Sequence, residues 1–296
     1  MALAVLPLCT AACSVAPGHK AGGRIVAVGA ENEYANVIAQ VGRPYVAVSA
    51  VMSNPNTDPH TFESSPKVAE QVASAQLIVQ NGLGYDTFMN TIERAQPSRT
   101  RKVVVAQDVL GLPIGTPNPH LWYDPKTMPL VAKAVVADLV ALDPVHAATF
   151  RRNLARFDAS LGSWTAAIRQ LAAADAGAPV ATTEPVADYL LQAAGLRNLT
   201  PFSFQQDVMN GVDPSPQDVA VQQALFSRRT VRVFVYNHQV TDSLTESLVG
   251  LARRHHIPVV GVYETMPTGY DYQQWMVAET RAIERALATG RSAPTL

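Results

Sequence analysis

The chain has 296 residues, enough for two medium-sized domains, and its 48% hydrophobic and 16% charged residues are typical of a folded globular protein. A formal net charge of −1 without a long basic run excludes an extended nucleic-acid interface, so we expect no nucleic-acid partner. The two cysteines, Cys9 and Cys13, both lie near the start. The rest of the chain therefore offers no disulfide, thiol ligand or cysteine nucleophile.

Residues 1–23 are predicted to be an export signal followed by a tether. Residues 1–13 are apolar and small, and a stretch rich in serine, proline and glycine follows them. The apolar run is too short to span a bilayer, and small residues precede Cys13 as at a signal cleavage point. The segment resembles a bacterial lipobox, in which Cys13 would carry a lipid. We expect an exported lipoprotein anchored to the outer face of the bacterial cytoplasmic membrane; a trimmed cytosolic terminus is the alternative.

From residue 24 onward, short β-branched runs alternate with helical patterns. In the first half, strands are predicted at residues 24–30, 45–51, 77–81 and 102–106, and helices at residues 31–41, 65–75, 85–94 and 125–142. Continuous apolar strands separated by helices are typical of parallel sheets with right-handed crossovers. The pattern therefore predicts an N-terminal α/β lobe over residues 24–143.

A narrow apolar stripe predicts one long helix over residues 144–175. Its members recur at alternating spacings of four and three: Phe150, Leu154, Phe157, Leu161, Trp164, Ile168 and Leu171. Such a helix would be about 45 Å long, given a rise of about 1.5 Å per residue. We interpret it as a spine that links two lobes. The alternative is the arm of a coiled-coil dimer, for which three heptads are marginal.

The second half repeats the alternation of strands and helices. Strands are predicted at residues 180–183, 196–202, 231–236 and 258–263, helices at 185–194, 217–226, 241–256 and 271–287, and a polar loop at 205–216. These elements predict a C-terminal α/β lobe over residues 176–296. The predicted fold class is α/β, with two lobes, each around a central and mostly parallel sheet, joined by one long rigid helix.

Four polar residues lie where predicted strands end. His60 and His120 follow strands of the first half, and each comes directly after a proline, which restricts the backbone of its loop. Glu184 and Glu264 end strands of the second half. Because ligands bind beyond the carboxyl ends of parallel strands, the four side chains can converge in the cleft between the lobes. Two imidazoles and two carboxylates suit Zn²⁺, Mn²⁺ or Fe²⁺, and four filled positions leave none for a catalytic water.

Each of these side chains also has an ordinary interpretation. Either histidine could be an exposed loop residue, Glu184 could favour the start of a helix, and Glu264 could pair with an arginine. His238 also follows a strand and is a rival ligand. The alternative function is a zinc-dependent hydrolase built on the same cluster. The hydrolase motifs H-E-x-x-H and G-x-S-x-G do not occur in the sequence.

Several motifs together resemble those of one protein family. They are Asp58-Pro59-His60, Asn118-Pro119-His120-Leu121-Trp122, Glu31-Asn32, Asn81-Gly82-Leu83-Gly84-Tyr85-Asp86, Thr182-Thr183-Glu184 and Asp213-Pro214-Ser215-Pro216. They resemble the bacterial cluster A-I solute-binding proteins, the metal receptors of zinc and manganese ABC importers. The resemblance implies two lobes on a rigid spine and a monomer that delivers one divalent ion to an ABC permease and its ATPase. It implies metal ligands at His60, His120, Glu184 and Glu264.

The resemblance also bears on the choice of metal. The third ligand of the family is histidine in many zinc receptors and glutamate in many manganese receptors, and Glu184 matches the latter. The fourth ligand is usually aspartate, so Glu264 is one methylene longer. Residues 107–117 lack the histidine-rich loop of many zinc receptors, which also favours Mn²⁺ or Fe²⁺. Zn²⁺ stays open, because the first-row affinity order favours it over both.

Overall fold

Two parallel sheets form the framework of the computed structural model, which describes residues 23–55 and 62–296. The first sheet, in the order β2-β1-β3-β4, contains β1 (Ile25–Glu31), β2 (Val46–Met52), β3 (Leu77–Gln80) and β4 (Lys102–Val105). The second, in the order β6-β5-β7-β8, contains β5 (Pro179–Thr182), β6 (Arg197–Asn198), β7 (Val233–Asn237) and β8 (Val259–Val262). Every pair of neighbours is parallel. The predicted α/β class with two mostly parallel sheets is therefore confirmed.

Helices connect the strands and cover the sheets. The first half contains α1 (Asn32–Gly42), α2 (Pro66–Ser74), α3 (Thr87–Ala95), α4 (Ala106–Val109) and α5 (Thr127–Leu142). The connecting region contains α6 (Ala147–Ser160) and α7 (Gly162–Asp175). The second half contains α8 (Asp188–Ala193), α9 (Phe202–Met209), α10 (Pro216–Ser227), α11 (Ser243–Arg254) and α12 (Tyr272–Thr289). No helix of the described residues is both long and apolar enough to cross a bilayer.

Helix α9 corrects the prediction of a strand at residues 196–202 followed by a polar loop. Only two residues of that strand form, as β6, and the chain then turns into a helix. Phe204 and Val208, four residues apart and both buried, pack into the core of the second lobe. Polar neighbours between these two positions hid the helical spacing in the sequence.

The connecting helix is interrupted once rather than continuous over residues 144–175. Its first three residues form a single 3-10 turn, and α6 and α7 are separated by Leu161. Leu161 keeps helical backbone angles, and its amide still bonds to Phe157 O at 3.3 Å. All members of the apolar stripe are buried except the half-buried Leu154. The stripe is therefore the packing face of the helix, while the exact domain boundaries stay a prediction.

Both lobes pack against this connecting helix. On α6, Asn153 Nδ2 donates hydrogen bonds to Val41 O (3.1 Å) and Arg43 O (2.8 Å) at the end of α1. On α7, Trp164 Nε1 donates to Thr280 Oγ1 on α12 at 3.0 Å. The largest cluster of buried apolar side chains contains residues from both sheets. The two halves are thus parts of one packed body.

Candidate metal centre

His120 is held in one orientation by an asparagine two residues earlier. Its ring is 0% exposed, and it stands directly before the 3-10 turn Leu121–Tyr123. Asn118 Oδ1 accepts hydrogen bonds from His120 N (3.0 Å) and Nδ1 (2.8 Å), while Asn118 Nδ2 donates to Pro185 O at 2.8 Å. Because Oδ1 is the accepting atom of this amide, Nδ1 of His120 carries the hydrogen. Nε2 is therefore the ring nitrogen that carries a lone pair, which is the kind of atom that binds a cation.

Nε2 of His120 faces a carboxylate oxygen from the other half of the chain. It lies 3.1 Å from Oε2 of Glu264, whose side chain is also buried. Two ligand atoms on one tetrahedral Zn²⁺ lie about 3.3 Å apart, given bonds of about 2.0–2.1 Å. Both Nε2 and Oε2 are acceptors in this arrangement, so a proton or a metal ion must stand between them. The observed 3.1 Å is an ordinary hydrogen-bond length and is also close to the separation of two ligands on one metal ion.

Glu184 is connected to Glu264 by the side-chain amide of Asn237, which contacts both carboxylates. It follows β5 and is 2% exposed. Nδ2 of Asn237 lies 3.3 Å from each oxygen of Glu184 and 2.5 Å from Oε1 of Glu264. Asn237 ends β7, and β7 lies between β5 and β8 in the sheet. Its side chain therefore stands between Glu184, which follows β5, and Glu264, which follows β8. One asparagine thus brings both carboxylates together.

Three of the four predicted ligands therefore converge. His120 contacts Glu264, and Glu264 and Glu184 share one amide donor. His60 lies outside the described residues. Within the part of the chain that the structure describes, no three His, Cys, Asp or Glu side chains are arranged to hold a metal ion by themselves. The set of four ligands accordingly stays a prediction.

The rival ligand, His238, points away from this place. It directly follows Asn237, and successive side chains of a strand point to opposite faces. Nδ1 of His238 lies 3.0 Å from Tyr236 Oη, and its ring lies 5.0 Å from the ring of Tyr263. The structure therefore places His238 in contact with two tyrosines and not with His120 or Glu264.

The loop of residues 81–86 is hydrogen-bonded to the segment that carries His120. Asp86 accepts hydrogen bonds from the backbone amides of Asn81 (2.6 Å) and Gly82 (3.0 Å). Asn81 Nδ2 in turn donates to Pro119 O, directly before His120, at 2.8 Å. Gly82 has a φ of 84°, a left-handed conformation that glycine adopts without steric cost. The glycine-containing motif thus fixes the loop that carries the histidine.

Buried acidic groups lie beside Glu264 on the N-terminal side. Glu31 and Glu33, at the start of α1, are buried, and their side-chain oxygens have no hydrogen-bond partner among the described residues. Burial raises the pKa of both carboxyls well above the usual range, and the nearby charge of Asp86 adds to it. Burial also raises the pKa of Asp86 to about 6. A cation bound at Glu264 would be attracted toward these groups and would favour the loss of their protons.

Sequence reasoning missed Asn237, the amide that lies between the two carboxylates. The rival ligand that it names in this part of the chain is the neighbouring residue, His238. One signal is available, because Asn237 stands at the end of a strand, where ligand-bearing residues are predicted. What decides the role of Asn237 is the strand order, which the sequence does not state.

Comparisons with known proteins give the family context. The family model described as zinc-uptake complex component A, periplasmic (ZnuA), matches residues 28–286. The iron-binding protein YfeA of Yersinia pestis is 28% identical over 135 residues, which cover 42% of each chain. The metal ABC transporter substrate-binding lipoprotein FimA of Streptococcus parasanguinis is 24% identical over 162 residues, covering 51% of this chain and 52% of that protein. The chain thus spans about half the length of the curated relatives that it matches.

The fold is also found among solved structures. The periplasmic zinc-binding protein TroA of Treponema pallidum superposes with a TM-score of 0.73 at 20% sequence identity. The superposition covers 91% of this chain and 100% of that protein. The likeness shows a common two-lobed architecture.

Proposed function

The chain belongs to the ZnuA family, and from this premise we propose that it is the solute-binding receptor of a metal ABC importer. It captures one divalent transition-metal ion, Mn²⁺ or Zn²⁺ with Fe²⁺ as the third candidate, and delivers it to a membrane permease driven by an ATPase. The observation that carries the proposal is the pair His120 Nε2 and Glu264 Oε2, which meet at 3.1 Å in a buried place. These two atoms come from different lobes, so a metal ion bound by both would join the lobes.

The four proposed ligands suit a divalent transition-metal ion. In this proposal His60 and Glu184 complete the set begun by His120 and Glu264. Two imidazole nitrogens and two carboxylates suit first-row divalent ions, and Asn118 supplies the support that a ligating histidine requires on its second nitrogen. The metal is carried and not used, so the proposal contains no catalytic step.

Delivery requires a receptor held near its permease. We place the protein outside the cytoplasmic membrane as a lipoprotein, anchored through Cys13 and acting as a monomer. The relative FimA is named as a substrate-binding lipoprotein of a metal ABC transporter, which supports both the anchor and the permease partner. Cys13 and the rest of the export signal lie outside the described residues.

The test is calorimetry on protein stripped of metal with a chelator. The wild-type protein should bind one divalent ion per chain, and His120→Ala should abolish stoichiometric binding because Nε2 is lost. His238→Ala is the matched control, since this histidine contacts Tyr236 and not the proposed ligands. Unchanged metal binding by His120→Ala would rule out the proposed site.

A further inference from the structure

The two oxygens of the Glu264 carboxylate have different partners. Oε2 faces the N-terminal lobe, 2.9 Å from Tyr85 Oη and 3.1 Å from His120 Nε2. Oε1 faces the C-terminal lobe, where Asn237 Nδ2 lies at 2.5 Å. One oxygen is thus directed toward the proposed metal ligand His120, and the other is engaged by an amide of its own lobe.

We propose that Asn237 is a positioning residue that makes Glu264 a one-oxygen ligand, a role that rests on the proposed function. The amide holds Oε1 on the side of its own lobe, so that Oε2, the oxygen that faces Tyr85 and His120, is the one that binds the metal ion. It also donates toward both oxygens of Glu184 at 3.3 Å, which offsets the repulsion between two buried carboxylates.

Asn237 can hold this position because it is itself fixed. Its backbone amide donates to Thr183 Oγ1 at 2.9 Å, and its Oδ1 accepts a hydrogen bond from Gln239 N at 3.0 Å. With Oδ1 engaged as an acceptor, Nδ2 must be the atom that points to Glu264. Gln239 also holds Glu264, since Gln239 Oε1 accepts a hydrogen bond from the backbone amide of Glu264 at 2.5 Å. Both the side chain and the backbone of Glu264 are therefore held from the same strand end.

The number of binding oxygens bears on the choice of metal. A carboxylate that binds through one oxygen suits the four-coordinate tetrahedral geometry of Zn²⁺. Mn²⁺ prefers more ligands and more oxygens, which a carboxylate can supply by binding through both of its oxygens. Asn237 therefore favours Zn²⁺ over Mn²⁺ and opposes the preference for manganese that Glu184 suggests.

The experiment compares Asn237→Ala with Asn153→Ala in the full chain. Asn153 is a matched control, because it is a buried asparagine whose Nδ2 bonds to backbone carbonyls far from the ligands. The dissociation constants for Zn²⁺ and Mn²⁺ are measured by competition with a chelator. We expect Asn237→Ala to weaken Zn²⁺ binding by about 10- to 100-fold, the usual effect of losing a group that orients a ligand, and Mn²⁺ binding by a smaller factor. Asn153→Ala should change neither.

A second readout reports the coordination number directly. With Co²⁺ as the probe, a tetrahedral site absorbs visible light strongly, and a site with more ligands absorbs weakly. The wild-type protein should give the strong band, and Asn237→Ala should weaken it because Oε1 is released to bind the metal. Asn237→Leu, which is close in size to asparagine but has no donor and no charge, should act in the same direction and replaces the alanine variant if circular dichroism shows that the latter is unfolded.

The outcomes separate the two proposals. Equal losses of Zn²⁺ and Mn²⁺ affinity with an unchanged Co²⁺ band would reduce Asn237 to a structural residue and overturn this inference alone. Unaltered affinities in both Asn237 variants would overturn it as well. If the wild-type protein bound neither Zn²⁺ nor Mn²⁺ nor the probe Co²⁺, the proposed function would be overturned, and this inference with it.

Discussion

Glu279 links the two loops that carry predicted ligands. It lies on α12 and accepts hydrogen bonds from Tyr123 Oη (2.5 Å), Trp275 Nε1 (2.7 Å) and Tyr263 N (3.1 Å). Tyr123 ends the turn that His120 begins, and Tyr263 directly precedes Glu264 in the other lobe. Burial raises the pKa of Glu279 to about 8, so this carboxyl keeps its proton near neutral pH.

The raised pKa of Glu279 predicts how stability depends on pH. Between the usual pKa of about 4.3 and a pH of about 8, the folded protein holds a proton that the unfolded chain has lost. The contribution of Glu279 to the free energy of unfolding is therefore present below pH 4.3 and declines as the pH rises through this window. Glu279→Gln keeps an acceptor and does not titrate, so its stability relative to the wild type should increase from about pH 5 to about pH 8.

Urea unfolding of both proteins at the two pH values measures this difference. The exposed Glu246 provides the control, because Glu246→Gln makes the same change in composition on the surface of α11. A difference between Glu279→Gln and the wild type that stays constant with pH would show that Glu279 does not bind its proton more tightly in the folded state.

At the residue scale, the sequence predicted which side chains meet better than it predicted what lies between them. His120, Glu184 and Glu264 could be predicted to meet because each lies in a connection that follows a parallel strand, and the carboxyl ends of such strands lie at one edge of a sheet. Asn237 could not, because an amide becomes important only once β7 is known to lie between β5 and β8. The position of a supporting residue depends on the order of strands in space, and one sequence carries little information on that order.

At the scale of elements, the interruption between α6 and α7 offers a test. Gly162 starts α7, and a Cβ atom added there would have no heavy atom within 4 Å outside its own neighbourhood. We expect Gly162→Ala to raise the free energy of unfolding by about 0.4–1 kcal/mol, because alanine loses less backbone entropy on folding and favours the helix. The midpoint of urea unfolding should rise at an unchanged m value.

Gly29 supplies the contrasting variant. It lies in β1, where an added Cβ would stand 2.7 Å from Glu31 O and 2.8 Å from Ala35 Cα, so the backbone would have to move. Gly29→Ala should destabilise the protein by about 1–3 kcal/mol, the usual cost of overpacking. If Gly162→Ala lowered the stability instead of raising it, the interruption at Leu161 would require the flexibility of glycine.

Elements were predicted well where one physical signal dominated. Seven of the eight strands of the described sheets were expected from apolar runs between helices, whereas β6 keeps only Arg197–Asn198 of the strand predicted at residues 196–202. The connecting helix was expected from its apolar stripe, but the break at Leu161 was not, since Gly162 follows without a proline or a cap to mark it. Helix α9 was missed because its amphipathic pattern spans only two turns.

At the scale of the whole molecule, direct contacts join the lobes next to the connecting helix. Asn32 Nδ2 donates to Met266 O at 2.8 Å, and Met266 N donates back to Asn32 Oδ1 at 3.0 Å. Gln40 on α1 and Gln273 on α12 pair through their side-chain amides at 2.9 Å. Met266 is two residues from Glu264, and Gln273 Nε2 also lies 2.7 Å from Ser160 Oγ at the end of α6. These bonds therefore restrict any hinge between the lobes.

These contacts predict a small change of shape on metal binding. The radius of gyration from small-angle X-ray scattering should be the same, within error, for chelator-stripped and metal-loaded wild-type protein. Asn32→Ala removes both hydrogen bonds to Met266, so the stripped variant should be more expanded and should compact when metal is added. Asn198→Ala is the matched control, because it loses bonds to Thr182 and Asp188 within one lobe and should lower stability without any metal-dependent compaction. A wild-type protein that compacts markedly on loading would show that the lobes close like a hinge despite the connecting helix.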